Sequence, residues 1–410
     1  MSDTATRPLP AGTAGSAATG TFAILLAISF CHFLNDTIQS LIPAVYPILK
    51  DQFSLSFAQI GLITFCFQLT SSLLQPFIGR YADRHPAPFA LTIGMLFTLC
   101  GVTLLSVASE FYSILIAVCV IGCGSSIFHP EASRVARMSA GARKGLGQSL
   151  FQVGGNSGTA AGPLLAALII IPFGQFAIGF FDLAAILALL LLLRIGFWYR
   201  ARLLQSGPAP RRINERRHAL SSSQIRNAII LLLILMMSKN FFSSSMTNYF
   251  TFFLISKFEV SIHTAQLCLF TFLAACAVGI MAGGLLSDRV GRKAVIWISI
   301  LGAAPFTLLL PYLDSLVLTM ATAVLIGLII SSSFSAILVF ATDLLPEHVG
   351  LVAGIFFGLA FGLGGIFSAA FGLLADYAGI ETVFQLSTLL PLMGVLAYFL
   401  PDTSGRSRLS

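Results

Sequence analysis

Two ionisable side chains lie close together inside the first long apolar segment of the chain. Asp36 is near the middle of this segment and His32 precedes it by one helical turn. A charged group at membrane depth is costly and usually has a function. Burial disfavours the ionised carboxylate, and an imidazole titrates near neutrality, so both groups are suited to bind and release a proton. The sequence predicts proton coupling here, and the alternative is a plain hydrogen bond from Asp36 to Asn35 or a neighbouring helix.

A second cluster occurs in the fourth apolar segment, which reads Phe128-His129-Pro130-Glu131-Ala132-Ser133-Arg134. Glu131 and Arg134 are three residues apart and can pair along a helix. One interpretation is a proton relay or an anion site that includes His129 and Glu131. The other is a structural ion pair at the end of the helix, which we favour for Arg134.

Lys239 lies near the middle of the seventh apolar segment, where a buried cation needs a counter-charge. Asp36, Glu131 or an anionic substrate could supply it. Aromatic residues on the same segment, with serines on the tenth segment, suit a pocket for a small amphipathic molecule. The predicted substrate-binding residues are Lys239, Asn35, Gln39, Gln152, Asn156, Phe242, Tyr249, Ser331 and Ser335.

Composition places these groups in a membrane protein. The chain has 410 residues, of which 57% are hydrophobic and only 10% charged, too few charges for a soluble surface. Apolar runs of membrane-spanning length number about twelve. Lys and Arg cluster in alternate loops, which predicts that both termini are cytoplasmic. This bias also explains the net charge of +7 without a nucleic-acid partner.

The apolar segments divide into two related halves. Ala58-Gln59 with Thr64-Phe65 recurs as Ala265-Gln266 with Thr271-Phe272, and Gly145-Leu146 recurs as Gly350-Leu351. Such repeats are typical of carriers that bind substrate between two halves. The predicted division is a disordered cytoplasmic tail (1–20), an N-terminal six-helix bundle (21–200), a cytoplasmic linker (201–224), a C-terminal six-helix bundle (225–400) and a second tail (401–410).

The decapeptide Gly284–Lys293, Gly-Leu-Leu-Ser-Asp-Arg-Val-Gly-Arg-Lys, resembles the loop signature of the major facilitator superfamily. A degraded copy follows Gly79, where His85-Pro86 replaces a glycine and cations. The resemblance implies an all-α membrane protein with twelve transmembrane helices in two pseudo-symmetric six-helix bundles. It also implies a cytoplasmic gate formed by Gly284, Asp288, Arg289, Arg292, Asp83 and Arg134.

Longer strings resemble the bacterial fosmidomycin-resistance exporters of that superfamily. They are His32-Phe-Leu-Asn35-Asp36-x-Ile-Gln39-Ser40-Leu, Phe128-His129-Pro130-Glu131, Phe151-Gln152-Val-Gly-Gly-Asn156, Ser238-Lys239, Phe334-Ser335-Ala-Ile-Leu-Val and Leu344-Leu345-Pro346. The resemblance implies proton-driven export of drugs, including a phosphonate antibiotic, across the bacterial inner membrane. An importer or symporter of a metabolite, or a membrane sensor that does not transport, are the alternatives.

No Walker A loop, cofactor fingerprint or metal-ligand spacing occurs in the sequence. The seven cysteines lie in apolar segments without a Cys-x-x-Cys pair, so we expect packing roles for them. We therefore expect neither an enzyme nor a resident cofactor or metal. The expected partners are a small-molecule substrate, protons and the lipid bilayer, and we expect a monomer.

Overall fold

The computed structural model describes residues 13–140, 144–205, 220–345 and 349–401, and every regular element within these ranges is helical. The first half contains α1 (Thr13–Ala44), α2 (Tyr46–Phe53), α3 (Phe57–Ser72), α4 (Gln75–Arg84), α5 (Ala90–Ser106), α6 (Phe111–Ser139), α7 (Lys144–Leu165), a π-helical stretch (Ala166–Ile170), α8 (Ile171–Phe173), a 3₁₀ stretch (Gln175–Phe181) and α9 (Asp182–Gln205).

The second half is helical as well, but its breaks fall at other places. It contains α10 (Ser222–Phe258), α11 (Ile262–Val290), α12 (Arg292–Leu309), a 3₁₀ turn (Leu310–Tyr312), α13 (Leu316–Ser331), α14 (Ser333–Leu344), α15 (Val349–Ala378), α16 (Ile380–Ser387) and a 3₁₀ stretch (Leu390–Phe399). The polar segment between the halves, residues 206–219, lies outside the described residues, as do residues 1–12 and 402–410. Helix α1 begins at Thr13, so its first turns overlap the predicted tail.

Ten helical stretches in the described ranges are long and apolar enough to cross a membrane. Two shorter apolar helices, Ala90–Ser106 and Gly362–Ala378, accompany them. Many large apolar side chains point outward, including Phe77, Leu183 and Leu285. An exposed apolar surface of this extent fits contact with lipid. The prediction of an all-helical membrane protein is therefore confirmed.

Local sequence explains where several helices begin and end. Ser56 and Ser221 each form a capping box, with Gln59 and Gln224 as the reciprocal partners. Gly291 alone connects α11 to α12, and its φ of +97° is a conformation that favours glycine. In the first half Pro86 stands in the degraded copy of this loop, and the longer stretch 85–89 connects α4 to α5.

Two interfaces join the halves, α3 against α15 and α7 against α11. Within the first half, α1 packs closely on α7 because glycines face the backbone of α1. A Cβ added at Gly154 would lie 2.2 Å from the carbonyl oxygen of Ser29, and one at Gly158 would lie 2.2 Å from that of Phe33. This close packing brings the polar face of α1 against α7.

Candidate transport site

A cluster of three side chains joins α1 to α6. The Nε2 atom of His32 lies 3.2 Å from Asp36 Oδ2, and Nε2 of His129 lies 3.4 Å from Asp36 Oδ1. The side chains of His32 and Asp36 are 5% and 16% exposed, whereas His129 is 30% exposed. His32 is thus enclosed and His129 forms the open edge of the cluster.

Backbone carbonyl groups set the orientation of both imidazole rings. His32 Nδ1 lies 2.8 Å from the carbonyl oxygen of Phe151, and His129 Nδ1 lies 3.1 Å from that of Ser125. A carbonyl oxygen only accepts hydrogen bonds, so we assign the Nδ1 hydrogen as the donor in each ring. Each ring therefore turns Nε2 toward the carboxylate.

This tautomer determines how many protons the cluster holds. A neutral ring with hydrogen on Nδ1 presents a lone pair at Nε2, which repels an ionised carboxylate. Each of the two contacts with Asp36 needs one proton, either on the ring or on the carboxyl group. Two protons would satisfy both contacts, and with one proton only one contact would be attractive.

Helix α7 closes the cluster from the third side. The His32 ring stacks on Phe151 with a centroid distance of 3.9 Å. A Cβ added at Gly155 would lie 2.5 Å from His32 Nε2 and 2.8 Å from Asp36 Oδ2. Such distances are not seen for real Cβ atoms, so the cluster requires the absence of a side chain at this position.

The predicted amide residues on α1 support the same cluster. Asn35 Nδ2 donates to Asp36 Oδ1 at 3.0 Å. Gln39 Oε1 accepts from the Ser125 hydroxyl at 2.9 Å, and that hydroxyl lies 3.3 Å from His129 Nδ1. Gln39 Nε2 is buried without a hydrogen-bond partner within the described ranges.

The same three side chains could hold a metal ion, since one donor atom from each of His32, Asp36 and His129 lies within 4.8 Å of the others. Zinc and related ions accept such imidazole and carboxylate ligands. The sequence did not reveal this grouping because His129 is far from the other two along the chain. The expectation that no metal is resident stays a prediction.

Glu131 and Arg134 form the predicted pair along α6. Arg134 Nη2 lies 3.6 Å from Glu131 Oε1, and the Glu131 side chain is 1% exposed. This geometry agrees with the interpretation of Arg134 as one member of a structural ion pair at the end of the helix. A proton-relay role for Glu131 stays a prediction.

Lys239 lies in the second half and is 4% exposed. Its Nζ atom lies 4.9 Å from the ring centroid of Phe334, a cation–π distance. No carboxylate of the described ranges lies within ion-pair distance of it, since Asp36 contacts the two histidines and Glu131 contacts Arg134. An anionic substrate as the counter-charge of Lys239 stays a prediction.

The other predicted substrate residues separate into buried and accessible groups. Phe242 is fully buried in the core. Tyr249 is also fully buried and donates from its hydroxyl to the carbonyl oxygen of Ser368 at 2.6 Å, so it joins α10 to α15. Ser331 is buried beside Cys276, which also neighbours Lys239. The partly exposed members are Gln152, Asn156 and Ser335.

The predicted gate residues lie at one end of the helices. Arg292 pairs with Asp343 of α14, and Arg289 is exposed. A Cβ at Gly284 would meet Ser335 only at 3.9 Å, whereas one at Gly283 would lie 2.1 Å from the carbonyl oxygen of Ser332. The close approach of α11 to its neighbour in this conformation therefore occurs at Gly283. The side chains of Asp83 and Asp288 lie outside the described part, so their contacts stay predictions.

Comparison with known proteins gives two close relatives. The fosmidomycin resistance protein of Escherichia coli K12 is 52% identical over 400 residues, covering 96% of this chain and 97% of the relative. An uncharacterized MFS-type transporter of Bacillus subtilis 168, YfnC, is 44% identical over 397 residues, with 96% and 97% covered. Both relatives match nearly the full length of the chain.

Solved structures and a family model agree on the fold. A bacterial homologue of the human lysosomal transporter Spinster, inward-facing and occupied, aligns with a TM-score of 0.65 at 18% identity, over 92% of this chain and 94% of that one. The Escherichia coli fucose:proton symporter gives a TM-score of 0.65 at 14% identity, over 94% and 100%. The Major Facilitator Superfamily model matches residues 28–256 and 233–410. The chain therefore belongs to the Major Facilitator Superfamily, and within it to the family of the Escherichia coli fosmidomycin resistance protein.

Proposed function

We propose that this transporter exports small anionic or amphipathic compounds in exchange for protons by alternating access. The observation that carries the proposal is the pair of contacts from Asp36 to His32 and His129. Their geometry holds two protons within a buried cluster, and His129 offers a route for them at its partly exposed edge. Proton release removes one or both contacts, so occupancy by protons changes the packing of α1 against α6.

The substrate class follows from the second half of the molecule. Lys239 is a buried cation without a carboxylate partner among the described residues, and it suits an anionic group. Buried amide donors without partners, on Gln39, Asn156 and Asn240, add capacity for substrate oxygens. The name of the Escherichia coli relative makes fosmidomycin, a phosphonate, the first compound to test.

The architecture that goes with this function is twelve membrane segments in two bundles, residues 21–200 and 225–400. The broken pairs α3–α4 and α13–α14 each count as one segment, as do α7–α8 and α16 with the 3₁₀ stretch that follows it. The arginine-rich linker and both termini then lie in the cytoplasm, and the membrane is the bacterial inner membrane. We propose that a single chain carries out transport.

Transport in liposomes tests the proposal. Purified protein is reconstituted with an imposed pH difference and a metal chelator, and labelled fosmidomycin is followed together with internal pH. We expect accumulation on the acidic side, with proton flow in the opposite direction. Flow of both in the same direction would overturn exchange and establish cotransport. Activity that requires added zinc would assign the cluster to a metal.

Asp36→Asn is the informative variant, and Asp51→Asn, at an exposed carboxylate outside the cluster, is its control. An amide cannot accept the transported proton, so we expect gradient-driven accumulation to fall to the protein-free background. The control should transport normally. Gradient-driven transport by folded Asp36→Asn at the control rate would rule out Asp36 as the coupling group.

A further inference from the structure

A carboxylate from the second half caps a helix of the first half. Asp376, near the end of α15, accepts hydrogen bonds from the backbone N–H groups of Phe57 and Ala58, at 2.8 Å to Oδ1 and 2.7 Å to Oδ2. These are the first two residues of α3. The contact therefore crosses the interface between the two halves.

The cap of α3 is complete only when this contact is present. The first N–H groups of a helix have no partner within it. The Ser56 hydroxyl accepts from the N–H of Gln59 at 3.1 Å, and the N–H of Ile60 donates to the Ser56 carbonyl oxygen. The two remaining N–H groups, on Phe57 and Ala58, donate to the carboxylate of Asp376. The negative charge is also favoured at the positive end of the helix dipole.

The interface around this contact is close and specific. A Cβ at Gly372 would lie 2.2 Å from the carbonyl oxygen of Phe57, and one at Gly61 would lie 2.6 Å from that of Ser368. The buried Tyr249 hydroxyl also lies 3.0 Å from both of these Cβ positions. The two backbones therefore touch at this end, and the halves cannot separate here without breaking the bonds of Asp376.

The other interface between the halves has a different contact. The internal repeat makes α11 the counterpart of α3, and Ile171 occupies the place of Asp376 when counted from the paired Gly145 and Gly350. Near the start of α11, Gln266 Nε2 instead donates to the carbonyl oxygen of Ala44, the last residue of α1, at 2.7 Å. The charged cap thus belongs to one of the two related interfaces.

We propose that Asp376 is a gating residue, which holds the halves together at the end of the molecule where α3 begins. This proposal rests on the alternating access of the proposed function. The cytoplasmic gate predicted around Asp288 belongs to α11, which packs on α7 of the first half. The two gates then use different helix pairs, α3 with α15 at this end and α11 with α7 at the other.

The test compares Asp376→Ala with Ser56→Ala. Both variants remove a cap from α3, but Ser56 lies in the same half as α3 and its loss affects open and closed states equally. Spin labels at exposed Val107 and Asp314, in loops of different halves at this end, report the separation by pulsed electron resonance in a background without native cysteines. The full-length protein in lipid nanodiscs is used.

We expect Asp376→Ala to raise the ratio of long to short distances about fivefold to tenfold, the usual factor for loss of one helix cap. Ser56→Ala should leave the ratio near that of the parent. Asp376→Asn, which keeps an acceptor but not the charge, should give an intermediate ratio. Equal distributions for Asp376→Ala and Ser56→Ala would overturn the proposal.

Two further results distinguish the gating role of Asp376 from the proposed exchange of protons for substrate. Gly372→Ala should raise the same ratio through steric overlap while leaving Asp376 unchanged, and a closed distribution in that variant would contradict the described interface. If wild-type protein fails to exchange protons for fosmidomycin while Asp376→Ala still shifts the distances, the gate stands and the proposed exchange falls. If the wild-type protein exchanges protons for fosmidomycin normally but Asp376→Ala leaves the distances unshifted, the proposed exchange stands and the gate falls.

Discussion

Replacement of Gly155 by alanine tests the proton cluster without changing any titratable group. The new methyl group would lie 2.4 Å from His32 Cε1 and 2.8 Å from Asp36 Oδ2. His32 has little room to retreat, because its ring stacks on Phe151 and donates to the carbonyl oxygen of that residue. We therefore expect Asp36 to move away and the contact with His32 to break.

The loss of assembled cluster in Gly155→Ala follows from the free-energy cost of packing one more methyl group. Insertion of one methyl group into a filled site costs about 1–3 kcal/mol. Alanine in place of glycine inside a helix returns up to about 1 kcal/mol, so α7 should still form. The remaining cost, up to about 2 kcal/mol, falls on the assembled cluster and corresponds to a loss of up to roughly thirtyfold in its population.

The assay is proton-driven fosmidomycin transport in liposomes as a function of pH, together with binding of fosmidomycin to detergent-purified protein. Gly302→Ala is the matched control, since the nearest atom to its Cβ would be 3.8 Å away and belongs to Ile298 of the same helix. We expect reduced transport and a displaced pH profile for Gly155→Ala with binding largely retained. Wild-type transport with an unchanged pH profile in the folded variant would refute the role of the cluster.

Two further predictions concern charge and the second gate. Lys239→Gln should weaken binding of a phosphonate about tenfold to a hundredfold, because a buried charged contact contributes roughly 1.5–3 kcal/mol, and a neutral analogue should lose much less in the same titration. Equal losses would point to a structural role for Lys239. Asp288→Asn should shift the resting population in the direction opposite to Asp376→Ala, measured by cysteine accessibility from the cytoplasmic side, and unchanged labelling with lost turnover would instead indicate a folding role.

The sequence predicts the part of the cluster that lies on one helix. His32 and Asp36 are four residues apart on a polar face, so their proximity follows from helical periodicity. His129 was predicted as a candidate, but its contact with Asp36 depends on how α6 packs against α1. The carbonyl oxygens of Phe151 and Ser125 carry no side-chain signal, so the tautomer assignment required coordinates.

The gating role of Asp376 could not be read from the sequence for a related reason. It is an acid close to the end of an apolar segment, and such residues commonly mark the membrane surface. Its partners are backbone N–H groups of a helix more than half the chain away. In the sequence, Gly155 appears only within the string Phe151-Gln152-Val-Gly-Gly-Asn156, which does not indicate which side chains it meets.

Exchange requires that substrate and protons oppose each other's binding, because coupling between two sites is reciprocal. A cluster holding two protons beside one carboxylate is positively charged, so attraction alone would favour joint binding of an anion. The mutual weakening of substrate binding and proton binding must therefore come from protein groups that both of them need. Gln39 offers one, because its Oε1 accepts from the Ser125 hydroxyl, whose residue also orients His129, while its Nε2 is buried without a hydrogen-bond partner among the described residues. We infer that a substrate oxygen bound to Gln39 pulls the amide away from Ser125 and loosens the His129 contact, which releases a proton as the substrate enters.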